Sequence, residues 1–287
     1  TDHLPLNKKK DKIRQRLLKI RAKKVIAATG SIERPLIFNN NDRPGIILSS
    51  AIKKYSDYYG VVCGKENILF TNNDSAYETA ISLFNKGIKI NAIIDIREKV
   101  NSEITNHAEK IGIKIYNSYT IVDTSGYRRI KEVSIMKLSK DGQSVTGSKI
   151  KIKCNCLGIS GGWTPAVHLF TQSGGKLKFD NEDNVFIPSK YPSDQISIGS
   201  CNGEFDLNTI IKNFNQNIKN FLGIDKTSFE DLKINSTKEI LKRNIWLLPS
   251  DKAIGKCKPF VDFQNDATAK DIMLALREGF RSIEHVK

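Results

Sequence analysis

Residues 23–38 read KKVIAATGSIERPLIF, and the reading of this stretch decides the fold. Two lysines lead into Val25-Ile26-Ala27-Ala28, a short apolar run that predicts a buried strand of the parallel kind, apolar on both faces. The run stops at Thr29-Gly30. Open α/β sheets hold ligands just beyond the carboxyl ends of such strands. Glycine there lets the backbone turn, and lets a ligand approach, without a Cβ in the way. Ser31 to Arg34 then leave the sheet, and Pro35 forbids a helix.

Working outward, the nearest counterpart lies far along the chain. Residues 195–200, QISIGS, form a second short strand ending in glycine, followed by Asn202-Gly203 and a helix over 206–222. A strand, a glycine turn and a helix N-terminus are what the opening strand needs to complete a ligand edge, although an ordinary buried strand before a helix has the same pattern. Thr29, Gly30, Gly199 and Ser200, all at predicted strand ends, are the candidate binding residues.

The intervening chain predicts a βαβ unit. Asp42-Arg43-Pro44-Gly45 is a turn, and 46–59 carries apolar residues at helical spacing up to Gly60. A strand over 67–71, a helix over 75–85 capped by Asp74 or Ser75, and a strand over 90–96 follow, with Gly87 stopping the helix. The geometry is Rossmann-like, and Asp95 stands where an acid would meet a ribose hydroxyl. Yet the turn reads Thr71-Asn72-Asn73-Asp74-Ser75-Ala76, with no glycine to admit a pyrophosphate and with an aspartate where phosphate would sit. A structural cap is the favoured reading of that turn. A helix over 102–111 and strands at 113–116, 120–123, 130–138 and 149–156 complete the unit, and 158–165 marks the return from it.

Residues 172–188 predict loop and hairpin. Residues 14–20 predict an outer strand or hairpin, 244–249 an extended link, 260–263 a strand, 270–278 an amphipathic helix closed by Gly279, and a further short helix begins at Ser282. The strand at Val25 wants parallel neighbours that nothing upstream supplies, and the chain stops inside a helix, so truncation is expected at both ends.

The composition narrows the function classes. The chain has 287 residues, 39% hydrophobic, with a formal charge of +15. Its lysines are scattered, the one dense basic run, 8–24, contains no aromatic residue, and nucleic-acid binding is therefore disfavoured. Cys63, Cys154, Cys156, Cys201 and Cys257 fit neither a disulfide framework nor a paired metal motif. Cys154 and Cys156 alternate on the expected 149–156 strand and read as small core residues on one face. Four histidines show no zinc spacing. Without a run of about 18 apolar residues or a signal-peptide centre, a soluble, cytoplasmic protein with reduced thiols and no membrane association is expected. No catalytic or metal-binding residue is assigned, since His168 reads as readily packed or exposed as functional and Trp163 reads as a core or interface residue.

The stretches ATGSIERPLIF with NDRPGI, FTNNDSAYETA, SGGWTPAVHLFTQSGGKL, IGSCNGEF and FVDFQNDATAKDIMLALREGFRSIEHVK resemble the α subunit of heterotetrameric sarcosine oxidase. The resemblance runs from about residue 14 to the end. It implies an α/β, two-dinucleotide-binding-domain flavoprotein architecture of the FAD/NAD(P)-binding Rossmann type. An outer dinucleotide domain would take 1–60 and 161–225, an inserted Rossmann-like domain 61–160, and a small helical domain 226–287. Members of that family lack neither the upstream glycine fingerprint nor a downstream folate-binding domain, and both are missing here.

The implied reaction is oxidative demethylation of sarcosine to glycine, with hydrogen peroxide formed and the one-carbon unit passed to tetrahydrofolate. Implied cofactors are NAD in this subunit without hydride chemistry, FMN at the α/β interface and FAD in the β subunit, and implied partners are the β, γ and δ subunits. Thr29, Gly30, Gly199 and Ser200 would then wall the NAD site. The last segment also resembles the [2Fe–2S] domain of related amine and proline dehydrogenases, but Val261 is followed by Asp262-Phe263-Gln264 where those carry a Cys-x-Cys pair. Clusters need thiolates, so a domain without an iron–sulfur cluster is expected. The alternatives are the α subunit of such a dehydrogenase, an NAD(P)H-dependent flavoprotein reductase, which the lack of a CxxxxC redox pair disfavours, and a non-catalytic nucleotide-binding scaffold.

Overall fold

Burial on both faces marks the centre of the protein. The computed structural model describes residues 2–3, 15–223 and 243–286. Strands β1 (Asp2–His3) and β2 (Gln15–Arg16) pair antiparallel, in line with the hairpin expected near 14–20. Strand β3 (Val25–Ala27) and β4 (Ser31–Glu33) follow, then β5 (Ile46–Leu48) and helix α1 (Ser49–Tyr59), ended by Gly60 in the left-handed conformation. The βαβ unit consists of β6 (Asn67–Thr71), α2 (Ser75–Asn85) and β7 (Ile90–Asp95). Helix α3 (Glu103–Lys110) starts on a Ser102 capping box and leads to β8 (Ile115–Asn117). Strands β9 (Tyr119–Ser125), β10 (Glu132–Leu138) and β11 (Val145–Lys153) form an antiparallel meander, and β12 (Cys156–Ser160) returns to the parallel sheet.

That sheet has the order β5-β12-β6-β7-β8, with β5, from upstream of residue 61, paired to β12. Alternation along its strands divides the core. Ile68, Phe70 and Ile94 face Ile121, Val133 and Ile135 of the meander, whereas Leu69 and Ile93 face Tyr77 and Ala80 of α2 and Ala108 of α3. Each fully buried aliphatic side chain of this kind contributes about 1.5–3 kcal/mol.

The remaining chain builds the outer region. Strand β13 (Trp163–Pro165) pairs with β4, α4 (His168–Gln172) follows, and β14 (Lys176–Asp180) and β15 (Val185–Lys190) form the expected hairpin. Strand β16 (Gln195–Ser197) lies parallel to β3 and precedes a 3-10 turn at Gly199–Asn202 and helix α5 (Leu207–Leu222). Strands β17 (Phe260–Asp262) and β18 (Ala267–Thr268) lead to α6 (Ala269–Arg277), capped by a Thr268–Asp271 capping box, and α7 (Ile283–Val286). Residues 226–242 of the expected small domain, and 224–225 of the expected outer one, lie outside the described residues.

Five expectations are corrected. Strand β3 is not buried: Val25 and Ile26 are 48% and 37% exposed, because among the described residues β16 is the one strand paired with it. The segment 46–59 is not helical throughout, since Ile46–Leu48 pairs with the central β12. Ser31–Glu33 forms a strand rather than a plain exit from the sheet. The single strand expected over 149–156 is two, because Asn155 binds Glu66 and turns the chain from the meander into the parallel sheet. Cys154 and Cys156 are both buried, as expected, but they join separate core clusters instead of sharing a face.

Candidate functional site at two strand ends

Parallel pairing of β3 with β16 aligns Ala27 with Ser197, and the ladder extends one bond further, from Ile198 N to Ala27 O at 3.0 Å. Both chains therefore leave the sheet at the same edge, one into Thr29-Gly30 and the other into Gly199-Ser200. Gly30 and Gly199 each have φ +75°, a left-handed conformation that glycine adopts without the steric cost of a Cβ. No heavy atom comes within 4 Å of the position a Gly30 Cβ would take, so that turn is open as well as tight.

The side chains at this edge are only partly free. The Thr29 hydroxyl donates to Ala166 O at 2.6 Å, and Ala166 N donates to Gly30 O at 2.9 Å. Asp206 caps α5 by accepting from Thr209 N at 2.8 Å, so a carboxylate already sits at the helix N-terminus expected to face a ligand. Ser200 lines a cleft of about 380 Å³ with Ser31, Asp74, Ser75, Trp163 and Phe205. Thr29, Gly30 and Gly199 lie at the same sheet edge without lining that cleft. Trp163 Nε1 donates to Ser75 Oγ at 3.3 Å, linking the outer region to the start of α2. His168 opens α4 and takes no part in the cleft.

The cleft's inner wall is the β6–α2 turn, and its polar groups are turned inward. Asn73 is fully buried, and its Oδ1 accepts from Ser75 N at 3.0 Å and from Ser75 Oγ at 2.6 Å. Thr71 Oγ1 donates to Asn73 O and accepts from Asn73 N. Asp95, at the end of β7, is buried under the guanidinium of Arg97, which reaches its oxygens at 2.8–3.1 Å. Arg97 Nη2 also lies 2.8 Å from Asp74 Oδ1, and the Tyr77 hydroxyl donates to Asp95 Oδ2 at 2.8 Å. Burial pushes the Asp95 carboxyl up against the pull of Arg97. Burial pulls the Arg97 guanidinium down, and the two aspartates more than offset it, leaving it above its ordinary value. Burial raises the Tyr77 phenol, with Asp95 adding to the rise. The sequence marked Asp74 and Asp95 but gave no sign of Arg97 as their common partner.

At the C-terminal segment, Asp262 accepts from Gln264 N at 2.8 Å and from Asn265 Nδ2 at 2.6 Å, so its carboxylate closes the β17–β18 turn. Cys257 is buried, with its Sγ 3.7 Å from Lys252 O. Among the described residues, no group of three or more His, Cys, Asp or Glu is arranged to hold a metal ion. Sequence reasoning missed the clamp on this segment. Asn41 Oδ1 accepts from Phe260 N at 2.8 Å while its Nδ2 donates to Phe260 O at 2.9 Å, and Asn39 Oδ1 accepts from Lys258 N at 2.8 Å. The run Asn39-Asn40-Asn41 was the available signal.

Against known proteins, the chain is 32% identical over 285 residues to sarcosine oxidase subunit alpha of Corynebacterium sp. (strain P-1), covering 96% of this chain and 29% of that one. It is 30% identical over 295 residues to the same subunit of Rhizobium meliloti (strain 1021), covering 99% and 27%. The chain is similar to sarcosine oxidase subunit alpha. It spans less than a third of the length of these curated relatives. The sarcosine oxidase A3 domain matches residues 256–287. Among solved structures, L-proline dehydrogenase from P. horikoshii aligns with TM-score 0.58 and 17% identity over 93% of this chain and 48% of that one. Thioredoxin reductase from T. acidophilum aligns with TM-score 0.51 and 16% identity over 71% and 65%. The fold is thus that of the Rossmann-type, FAD/NAD(P)-binding flavoproteins. Among the described residues no helix is long and apolar enough to cross a membrane.

Proposed function

We propose that this chain is a central portion of the α subunit of a sarcosine oxidase complex and that it contributes cofactor binding and subunit organisation rather than catalytic side chains. The observation that carries this reading is the likeness to sarcosine oxidase α subunits over 96% or more of the chain. In the complex, sarcosine is demethylated to glycine with peroxide formation, and the one-carbon unit passes to tetrahydrofolate held elsewhere. FAD belongs to a β subunit, FMN to the α/β interface, and γ and δ subunits complete a cytoplasmic heterotetramer. NAD binds at the outer strand ends, with Thr29, Gly30, Gly199 and Ser200 as its walls. The open, left-handed turn at Gly30 fits such a ligand, because backbone can approach it without a side chain between. The chemistry of the reaction resides in the cofactors. The outer domain comprises 1–60 and 161–225, the inserted domain 61–160, and the small domain, without a cluster, 226–287. Asp262 supports the absence of a cluster, because its carboxylate is already engaged by the turn it closes.

The test is to express the full-length subunit with its neighbouring subunits and measure peroxide formation with sarcosine and with L-proline, then extract and quantify bound NAD. Sarcosine-dependent peroxide together with bound NAD is the expected result. Turnover of L-proline but not sarcosine would overturn the assignment. The non-catalytic scaffold is favoured by one observation, the self-filled β6–α2 turn. Full sarcosine turnover in the absence of the α subunit would establish it.

A further inference from the structure

We infer that the five-stranded parallel sheet binds no dinucleotide and that its binding position is occupied by the protein's own side chains. A nucleotide unit of this topology needs three features: a turn the pyrophosphate can approach, free N–H groups at the first helix, and an acid at the end of the next strand for the ribose hydroxyls. All three positions are present here, and each is filled. The turn is closed by Asn72 and Asn73, which are 2% and 0% exposed, and Asn72 Nδ2 reaches across to Arg243 O at 3.1 Å. The Ser75 amide, at the start of α2, donates to Asn73 Oδ1 at 3.0 Å. The acid, Asp95, is 0% exposed and takes Tyr77 on one oxygen and Arg97 on both.

Arg97 is the centre of this arrangement. Its guanidinium is 2.8 Å from both Asp74 and Asp95 and joins the helix start to the strand end, the two places a bound nucleotide would bridge. The Arg97 amide donates to Asp95 Oδ1 at 2.9 Å, so the strand end is held by backbone as well as by side chain. Asp74 adds an acidic side chain at the helix start that would repel an incoming phosphate. A dinucleotide could enter only by breaking a buried ion pair and displacing two buried asparagines. Among the described residues one nucleotide position then remains, at the outer strand ends, a count that rests on the function proposed above.

Equilibrium dialysis of the full-length protein, freed of endogenous nucleotide, against NAD and against NADP tests this. One equivalent of NAD, weakened at least a hundredfold by Gly199→Trp, together with no NADP binding, is the expected outcome. Absence of any binding would refute the NAD reading above while leaving the closed turn supported. Two equivalents, or a tight site that persists in Gly199→Trp, would overturn the closure. A second measurement needs no variant. Amide exchange at residues 95–97, which do not line the cleft shared with Ser200, should be unchanged by saturating NAD, and increased protection there would overturn the inference.

Discussion

Replacing Arg97 by alanine would remove the cation that pairs with both Asp74 and Asp95 beside the Tyr77 hydroxyl. Arg97 and Asp95 have side chains 3% and 0% exposed, and Asp74 is 15% exposed. Removal of the guanidinium leaves the Asp95 carboxylate held by the Tyr77 hydroxyl and the backbone amide at position 97. Breaking one side of a buried pair costs about 3–5 kcal/mol, because the remaining charge stays desolvated. At roughly 2–4 °C per kcal/mol for a domain of this size, the melting temperature should fall by roughly 6–20 °C. Thermal and urea unfolding of wild type and Arg97→Ala measure the loss. Arg97→Lys keeps the charge but not the planar fork that reaches both aspartates, and it should lie between the two. Asp95→Leu combined with Arg97→Met removes both charges and should recover much of the loss, since apolar replacements of buried pairs are commonly neutral or stabilising. An Arg97→Ala loss below about 1 kcal/mol, the value of an exposed pair, would refute the reasoning.

Three other measurements follow from the structure. Gly161→Ala would place a Cβ 2.6 Å from Pro35 O, a backbone atom that cannot swing away, so a loss of about 1–3 kcal/mol should appear in urea unfolding. In native protein at pH 8, the half-buried Cys63 should react with a thiol reagent before Cys154 and Cys156, whose thiols burial pushes up to about 12; mass spectrometry of the modified sites reads the order. The hydrogen bond from Lys149 holds the Asp251 carboxyl below its ordinary value. Because its folded pKa is below the unfolded one, the contribution is complete above about pH 4 and lost as pH falls through the folded value. Asp251→Asn should therefore reduce the stability difference between pH 6 and pH 3.

What could be read from the sequence depended on how local its cause was. Helix α2 and strand β6 match the expected bounds, because the Gly87 stop and the apolar centre of the strand are written in adjacent residues; the cap expected from Asp74 or Ser75 is not made, since Asp74 forms no side-chain cap and Asn73 Oδ1 takes the Ser75 amide instead. Glycine turns at Thr29-Gly30 and Gly199-Ser200 were equally local, and the β3–β16 register brings them to one edge. Long-range causes were hidden. The shortage of neighbours for Val25 was legible in the polar chain upstream, but not that among the described residues β16 alone would pair with it and leave it half-exposed. The division of 149–156 depends on Asn155 meeting Glu66, and the closure of the β6–α2 turn depends on an arginine two positions beyond the acid it neutralises. Ala-Thr-Gly therefore marked a strand end and a left-handed glycine turn, whereas the strand leading to it was assigned a burial that only a wider sheet would provide.

The placement of β12 between β5 and β6 has a consequence for how the molecule is made. Two strands that are synthesised early stand apart, held at a spacing that only a third, later strand can fill. At roughly 5–20 residues per second on the ribosome, several seconds separate the emergence of Thr71 from that of Cys156. Throughout that interval Ile68 and Leu69 have no partner on one side, and the nascent chain presents an open slot in its own sheet. Such a slot is where a chaperone would bind, and where a second nascent chain could insert the same strand in error.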